Sequence, residues 1–291
     1  MRPASPTVAS WELASRLRSR RRALGIDVAT ITRELGFTRN YWSAVENDRT
    51  TLAEEKLRAV ARVLRFDGPE AEELLELRHL ARERSWWNLD VVSPPLQQLY
   101  GLEFGASRIR TYEGSVVTGL LQTPAYAQAL IGSSPVSRPI DVERLVALRI
   151  KRQERLLGDQ PLELSVVMSQ ASLLQHVGPP QVLLGQLRYL SRLVRDRGDA
   201  IELRVIPFAR SHGGMVGAST LYIFDFDSPH LPTVAWSETS VVGSLTEEHQ
   251  LVHHITLAYD QALESSLSRH DSLSLIDQCT DDLEREIADG R

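Results

Sequence analysis

Two stretches of the chain carry residue types that could do chemistry. The first is LGFTRNYWSAVEND, residues 35–48. At helical spacing, Leu35, Trp42 and Val45 fall on one side, and Arg39, Asn40, Ser43, Ala44 and Asn47 on the other. An arginine can be bidentate to guanine and an asparagine bidentate to adenine. The hydroxyls of Thr38 and Ser43, the amides at the helix start and the Arg49 guanidinium can hold phosphate. Glu46 has the wrong charge for that work and reads as a structural acid. Tyr41 has no evident role beyond packing or a phosphate contact.

The second stretch runs from 103 to 126. Glu103, Arg110, Tyr112, Glu113, Gln122 and Tyr126 place charged and amphipathic groups in a segment that is otherwise apolar, as in VVTGLLQTP. Such groups either pair with one another or line a pocket for a small molecule or a partner. The residue types leave both readings open. Other sets are weaker. His249 and His253 are four apart, but no third metal ligand accompanies them, so EEHQLVHHI reads as a solvated helix face. Asp225 and Asp227 in FDFDSPH mark a strand end, and SHGGM (211–215) a plain connection. Cys279 reads as an inert thiol. No nucleophile, zinc or dinucleotide motif is present, so no catalytic residue, metal or cofactor is expected.

The first set needs a head made of helices. Residues 1–10, with Pro3 and Pro6, read as a flexible tail. From 11 to 84 the pattern is helical throughout, and five helices are expected. Leu13, Leu17 and Leu24 stripe the first, with RSRRR (18–22) on its other face. Asp27 caps a second at 28–35, Gly36 ends it, and Thr38 caps a third running to about Asp48. Fourth and fifth helices follow at about 52–64 and 69–84. Two short helices joined by a tight glycine turn make a helix-turn-helix. SWWNLDVVSPP (85–95) loses periodicity and predicts a linker. The remainder, 96–291, alternates helical stretches (123–131, 141–157, 180–197, 246–267, 271–288) with strand-like ones (162–168, 201–208, 219–226, 233–238). An α+β domain with a small mixed or antiparallel sheet is expected, its last two strands forming a hairpin.

The charge is split in the same way. Residues 1–65 carry 13 Lys+Arg and 7 Asp+Glu, a net of +6, while the rest nets −11. A basic head on an acidic body suits a head that meets a polyanion. No apolar run approaches the ~20 residues that cross a bilayer, so no membrane is expected. The N-terminus lacks an apolar signal region and a single cysteine cannot form a disulfide, which makes the cytoplasm the expected compartment.

The stretch 11–65, through GIDVATITRELGFTRNYWSAVENDR, resembles the Xre/Cro-type helix-turn-helix family. It departs at Val28, where many members carry a phosphate-contacting Gln, at Thr32 for a small Ala, and at Asp48 for a Gly. The later chain, in WWNLD, YGLEFGASRIRTYEGSVVTGLLQTPAYAQALI, RLVALRIKRQERLL, LELSVVMSQASLLQHVGPPQVLLGQL and IELRVIPF, resembles the DUF5753 domain of Scr1-type, antitoxin-like actinobacterial regulators. The resemblance implies a DNA-binding transcription regulator whose second domain receives a protein or small-molecule signal. It also implies a partner, a small DUF397-type protein encoded nearby; the other reading makes capture of that partner the main task. Two heads of a homodimer reading two half-sites of double-stranded DNA complete the expectation.

Overall fold

The computed structural model describes residues 5–135, 137–210, 220–239 and 243–290. The SHGGM stretch at 211–215 lies outside them. The chain forms two compact units. The first holds residues up to Leu89 together with Gln97–Gly105 and Phe226–Pro232; the second holds Asp90–Leu96, Ala106–Asp225 and the chain from Thr233 on.

Five helices build most of the first unit: α1 (Pro6–Ala23), α2 (Val28–Leu35), α3 (Arg39–Glu46), α4 (Glu54–Val63) and α5 (Gly68–Ala81). The tail expected through residue 10 is instead helix from Pro6. The Ser5 hydroxyl accepts from the Val8 amide, Pro6 sits where its missing N–H costs nothing, and Pro6, Val8 and Ala9 are buried. Asp27 caps α2 through the Thr30 amide at 2.6 Å, and Gly36 ends it at φ 69°, a left-handed conformation that favours glycine. Asp67 and Glu70 form a capping box on α5. Leu13, Leu17, Ile31, Trp42, Val45, Leu57, Leu64 and Leu74 form the core. Leu35, expected inside, is only partly buried at its edge.

Residues 94–95 were expected in a joint, yet Pro94 opens α6 (Pro94–Gly105), because proline is tolerated in a first turn. The 97–105 part of this helix meets α1 closely. A Cβ on Gly101 would lie 2.1 Å from Thr7 Oγ1 and 2.3 Å from Thr7 Cβ, and the Ser5 hydroxyl donates to the Gly101 carbonyl at 2.7 Å. Phe226 meets Trp11 edge to face at 5.4 Å, and the Ser228 hydroxyl donates to Glu12 at 2.8 Å.

The second unit is α+β around one mixed sheet. Its strands are β1 (Arg108–Glu113), β2 (Glu163–Ser169), β3 (Ile201–Ile206), β4 (Thr220–Asp225), β5 (Val234–Glu238) and β6 (Gly243–Thr246). The order is β3-β2-β1-β4-β5-β6. β1, β2 and β3 run parallel; β4 pairs antiparallel to β1, and β4-β5-β6 continue antiparallel. β4 and β5 make the expected hairpin. β1 was not expected: polar residues fall on both of its faces, Arg108 and Arg110 on one and Thr111 and Glu113 on the other, so the apolar alternation of a half-buried strand is missing. The helices are α7 (Pro124–Gly132), α8 (Val142–Arg152), α9 (Ala171–Leu174), α10 (Pro180–Asp196), α11 (His249–Ser265) and α12 (Arg269–Ala288). α11 covers one sheet face, where Tyr259 and Ala262 pack on Tyr112, Val167, Ile206 and Ile223. Strand alternation turns Ile109, Thr111 and Glu113 to the opposite face. Among the described residues no helix is long and apolar enough to cross a membrane.

Gly101→Ala must push α1 and α6 apart. It is expected to cost about 1–3 kcal/mol, as overpacking does. Urea denaturation of the whole chain measures this; an unchanged midpoint would contradict the close helix contact.

Candidate functional site

Thr38 starts α3: its hydroxyl accepts from the Tyr41 amide at 3.1 Å. Trp42 and Val45 are buried below, so Arg39, Asn40, Ser43 and Asn47 are exposed above, with Ala44 half-buried and Arg49 exposed just beyond the helix. Neither Arg39 nor Arg49 lies in an ion pair among the described residues. Asn47 caps the helix end, its Nδ2 donating to the Ser43 carbonyl at 2.7 Å and to the Ser43 hydroxyl at 3.3 Å. Hydrogen bonds from Thr30, aided by Arg33 and Arg39, hold the Asp27 carboxyl below its ordinary range. Tyr41 packs edge to face on Phe37 at 5.1 Å, with the Lys56 ammonium 4.8 Å over its ring. It is therefore a packing residue at the helix edge.

Arg18, Arg20 and Arg21 of the α1 arginine run turn inward where the sequence predicts an outer face, and Arg22 stays exposed. Arg21 is bidentate to Glu46, at 2.5 Å from Nε and 3.1 Å from Nη2, and its Nη1 donates to the Ile26 carbonyl at 2.8 Å. Arg18 donates to the Glu46 carbonyl at 3.0 Å. Arg20 pairs with Glu70 and lies 4.5 Å over the Phe66 ring. These cations fix α3 and α5 against α1. Glu46, 7% exposed, is thus a structural acid. Asp48 occupies the turn after α3 at φ 55°, where an L side chain is strained, and accepts from the Ser10 hydroxyl.

The six residues of the 103–126 block do not converge. Glu103 is buried in the first unit. Arg110 and Tyr112 face α11, Arg110 pairing with Asp225 at 3.2 Å. Glu113, Gln122 and Tyr126 lie away from that face or in the segment after β1. That segment is irregular, with a 3-10 turn at Gly119–Leu121, and its buried backbone is matched by side chains that the sequence did not single out. Gln122 Nε2 donates to the Val117 carbonyl at 2.6 Å. Gln153 donates to the carbonyls of Gly119 and Gln122, and Gln186 to that of Leu121 while accepting from the Thr123 amide at 2.7 Å. Arg149 donates to Gln122 Oε1 at 2.8 Å, and the Tyr126 hydroxyl accepts from the Val117 amide at 3.4 Å. Gln122 and Tyr126 therefore belong to an internal hydrogen-bond network.

Glu113 differs. Its carboxyl accepts from the hydroxyls of Thr220 at 2.8 Å and Tyr222 at 3.3 Å, and burial pushes the acid up from 4.5 to about 7. Elsewhere, Asp225 is held by Arg110 and the Thr233 hydroxyl. His249 and His253 are exposed on α11, and among the described residues no group of three or more His, Cys, Asp or Glu could hold a metal ion.

A family model described as a helix-turn-helix domain matches residues 12–74, and one described as a domain of unknown function, DUF5753, matches residues 96–278. No curated protein and no solved structure matches the chain.

Arg21→Ala strands the Glu46 carboxylate and is expected to cost about 3 kcal/mol. Chemical denaturation checks this against Arg22→Ala, an exposed control; equal midpoints would contradict the clamp. Gln186→Leu leaves the Thr123 amide and Leu121 carbonyl unmatched, with an expected cost of about 2 kcal/mol. A variant as stable as the parent would remove Gln186 from its role as anchor.

Proposed function

This chain belongs to the DUF5753 family and carries a helix-turn-helix domain, and from there we propose that it is a sequence-specific transcription regulator whose α3 enters the major groove. Such a head points to a regulator and not to an enzyme. Residues 11–84 are the reading head, and the work is done in the cytoplasm, on double-stranded DNA. Arg39 and Asn40, in the first turn of α3, contact base edges. Thr38, Ser43 and Arg49 meet phosphate, and Ala44 and Asn47 line the same face.

One contrast carries this reading. Arg16, Arg18, Arg20 and Arg21 of α1 are engaged by carboxylates or a backbone carbonyl inside the head, while Arg39 at the start of α3 and Arg49 just beyond its end are exposed and outside any ion pair among the described residues. Cations left uncommitted beside an exposed Asn and Ser suit an anionic, base-bearing partner.

In this proposal the domain from 96 to 291 receives the signal, from a protein or a small molecule, and holds a homodimer whose two heads take two half-sites. The DUF397-type partner is supported by the family resemblance alone. A body that purifies without its co-expressed small neighbour would leave regulation of DNA, and not capture of that neighbour, as the main task.

Selection of bound duplexes from a random pool supplies the operator. Arg39→Ala with Asn40→Ala should then reduce the preference for operator over random duplex by about 10- to 100-fold per lost bidentate contact. Unchanged preference in a mobility-shift titration at fixed salt would show that α3 does not read the bases.

A further inference from the structure

Glu113 ends β1 with its side chain 1% exposed, on the sheet face away from α11. Its partners are all hydroxyls. Thr220, the first residue of β4, and Tyr222 donate to it. The Thr118 hydroxyl faces the carboxyl from the segment after β1; it is fully buried and makes no well-formed hydrogen bond of its own. The Ser172 hydroxyl of α9 holds the Glu113 carbonyl at 3.4 Å. No lysine, arginine or histidine lies within ion-pair distance of the carboxyl among the described residues. Among the described residues, the other titratable groups near it are Glu238 of β5, which repels its charge, and the phenols of Tyr112, Tyr126 and Tyr222.

A carboxylate taken out of water without a counter-cation is costly, and hydroxyl donors offset only part of that cost. The neutral acid has no such penalty. It can donate its own proton, while the hydroxyls of Thr220, Thr118 and Tyr222 pull the other way, toward the ionised form, and burial outweighs them.

We propose that Glu113 is a proton latch: the closed arrangement of the β1 end, the 114–118 turn and the β4 start belongs to its neutral form, and loss of the proton loosens all three. The O–H bond breaks, the proton leaves to solvent, and the carboxylate draws in water. Burial, reinforced by Glu238, places this event near neutrality. The sign follows from a folded-state value raised above the ordinary 4.5. The stabilising contribution is complete below about 4.5 and is lost as pH rises through about 7. The latch does not depend on what the head binds.

Hydrogen–deuterium exchange of the whole chain at pH 6 and pH 8, corrected for intrinsic rates, tests it. Local opening of peptides covering 114–123 and 220–225 should rise about tenfold from pH 6 to pH 8. Glu113→Gln should show no such rise, and Thr220→Val, which removes a donor to the ionised form, should move the rise to higher pH. A parent without the rise, or a Gln variant with the same rise, overturns the proposal. If Glu113→Gln does not fold, infrared spectroscopy of the parent decides. A protonated-carboxyl band at pH 6 that is lost by pH 8 supports the latch, and its absence at pH 6 overturns it.

Discussion

A polar group carried out of water must be met by another, and the head is arranged around one such match. Glu46 sits at the last turn of α3, against α1, where water cannot solvate it. Arg21 answers with both ends of its fork and spends a third donor on the Ile26 carbonyl before α2. One guanidinium therefore fixes where α3 ends and where α2 begins relative to α1. The second unit obeys the same constraint with amides in place of charges: Gln122, Gln153 and Gln186 match the irregular backbone between β1 and α7. Glu113 meets only hydroxyls, and that incomplete match is why its proton sits so close to neutrality.

The helix-turn-helix was legible because its signals are local. Asp27, Gly36 and Thr38 punctuate two short helices, and Ile31, Trp42 and Val45 recur at helical spacing within the same window. Each acts on residues a turn away, so sequence order and spatial order agree. The arginine run was misread for the opposite reason. The partners of Arg20 and Arg21 lie 50 and 25 residues along the chain, beyond the reach of any periodicity.

The 103–126 block shows a second limit. Its six polar residues look like one constellation only while β1 goes unseen. Once 108–113 is a strand, its period of two sends Arg110 and Tyr112 to one face and Glu113 to the other. Glu103 goes with a helix packed on α1. Neighbours in sequence become strangers in space, and Gln186, whose amide holds the segment, sits 63 residues from the Thr123 it supports. What did survive was the chemical premise: polar groups in so apolar a stretch had to be matched internally or by a ligand, and the glutamines match most of them internally.

α3 is 8 residues long, hardly more than two turns. At 1.5 Å per residue it spans about 12 Å, the height of roughly four stacked base pairs. A word of four letters recurs by chance about once in every 256 positions, so a genome offering ~10⁶ or more sites contains it thousands of times. One such helix can recognise a syllable and not an address. Under the proposed reading, an address is spelled by repetition: a second copy of the same short helix, held at a fixed distance, would multiply the rarity of the word without lengthening the reader.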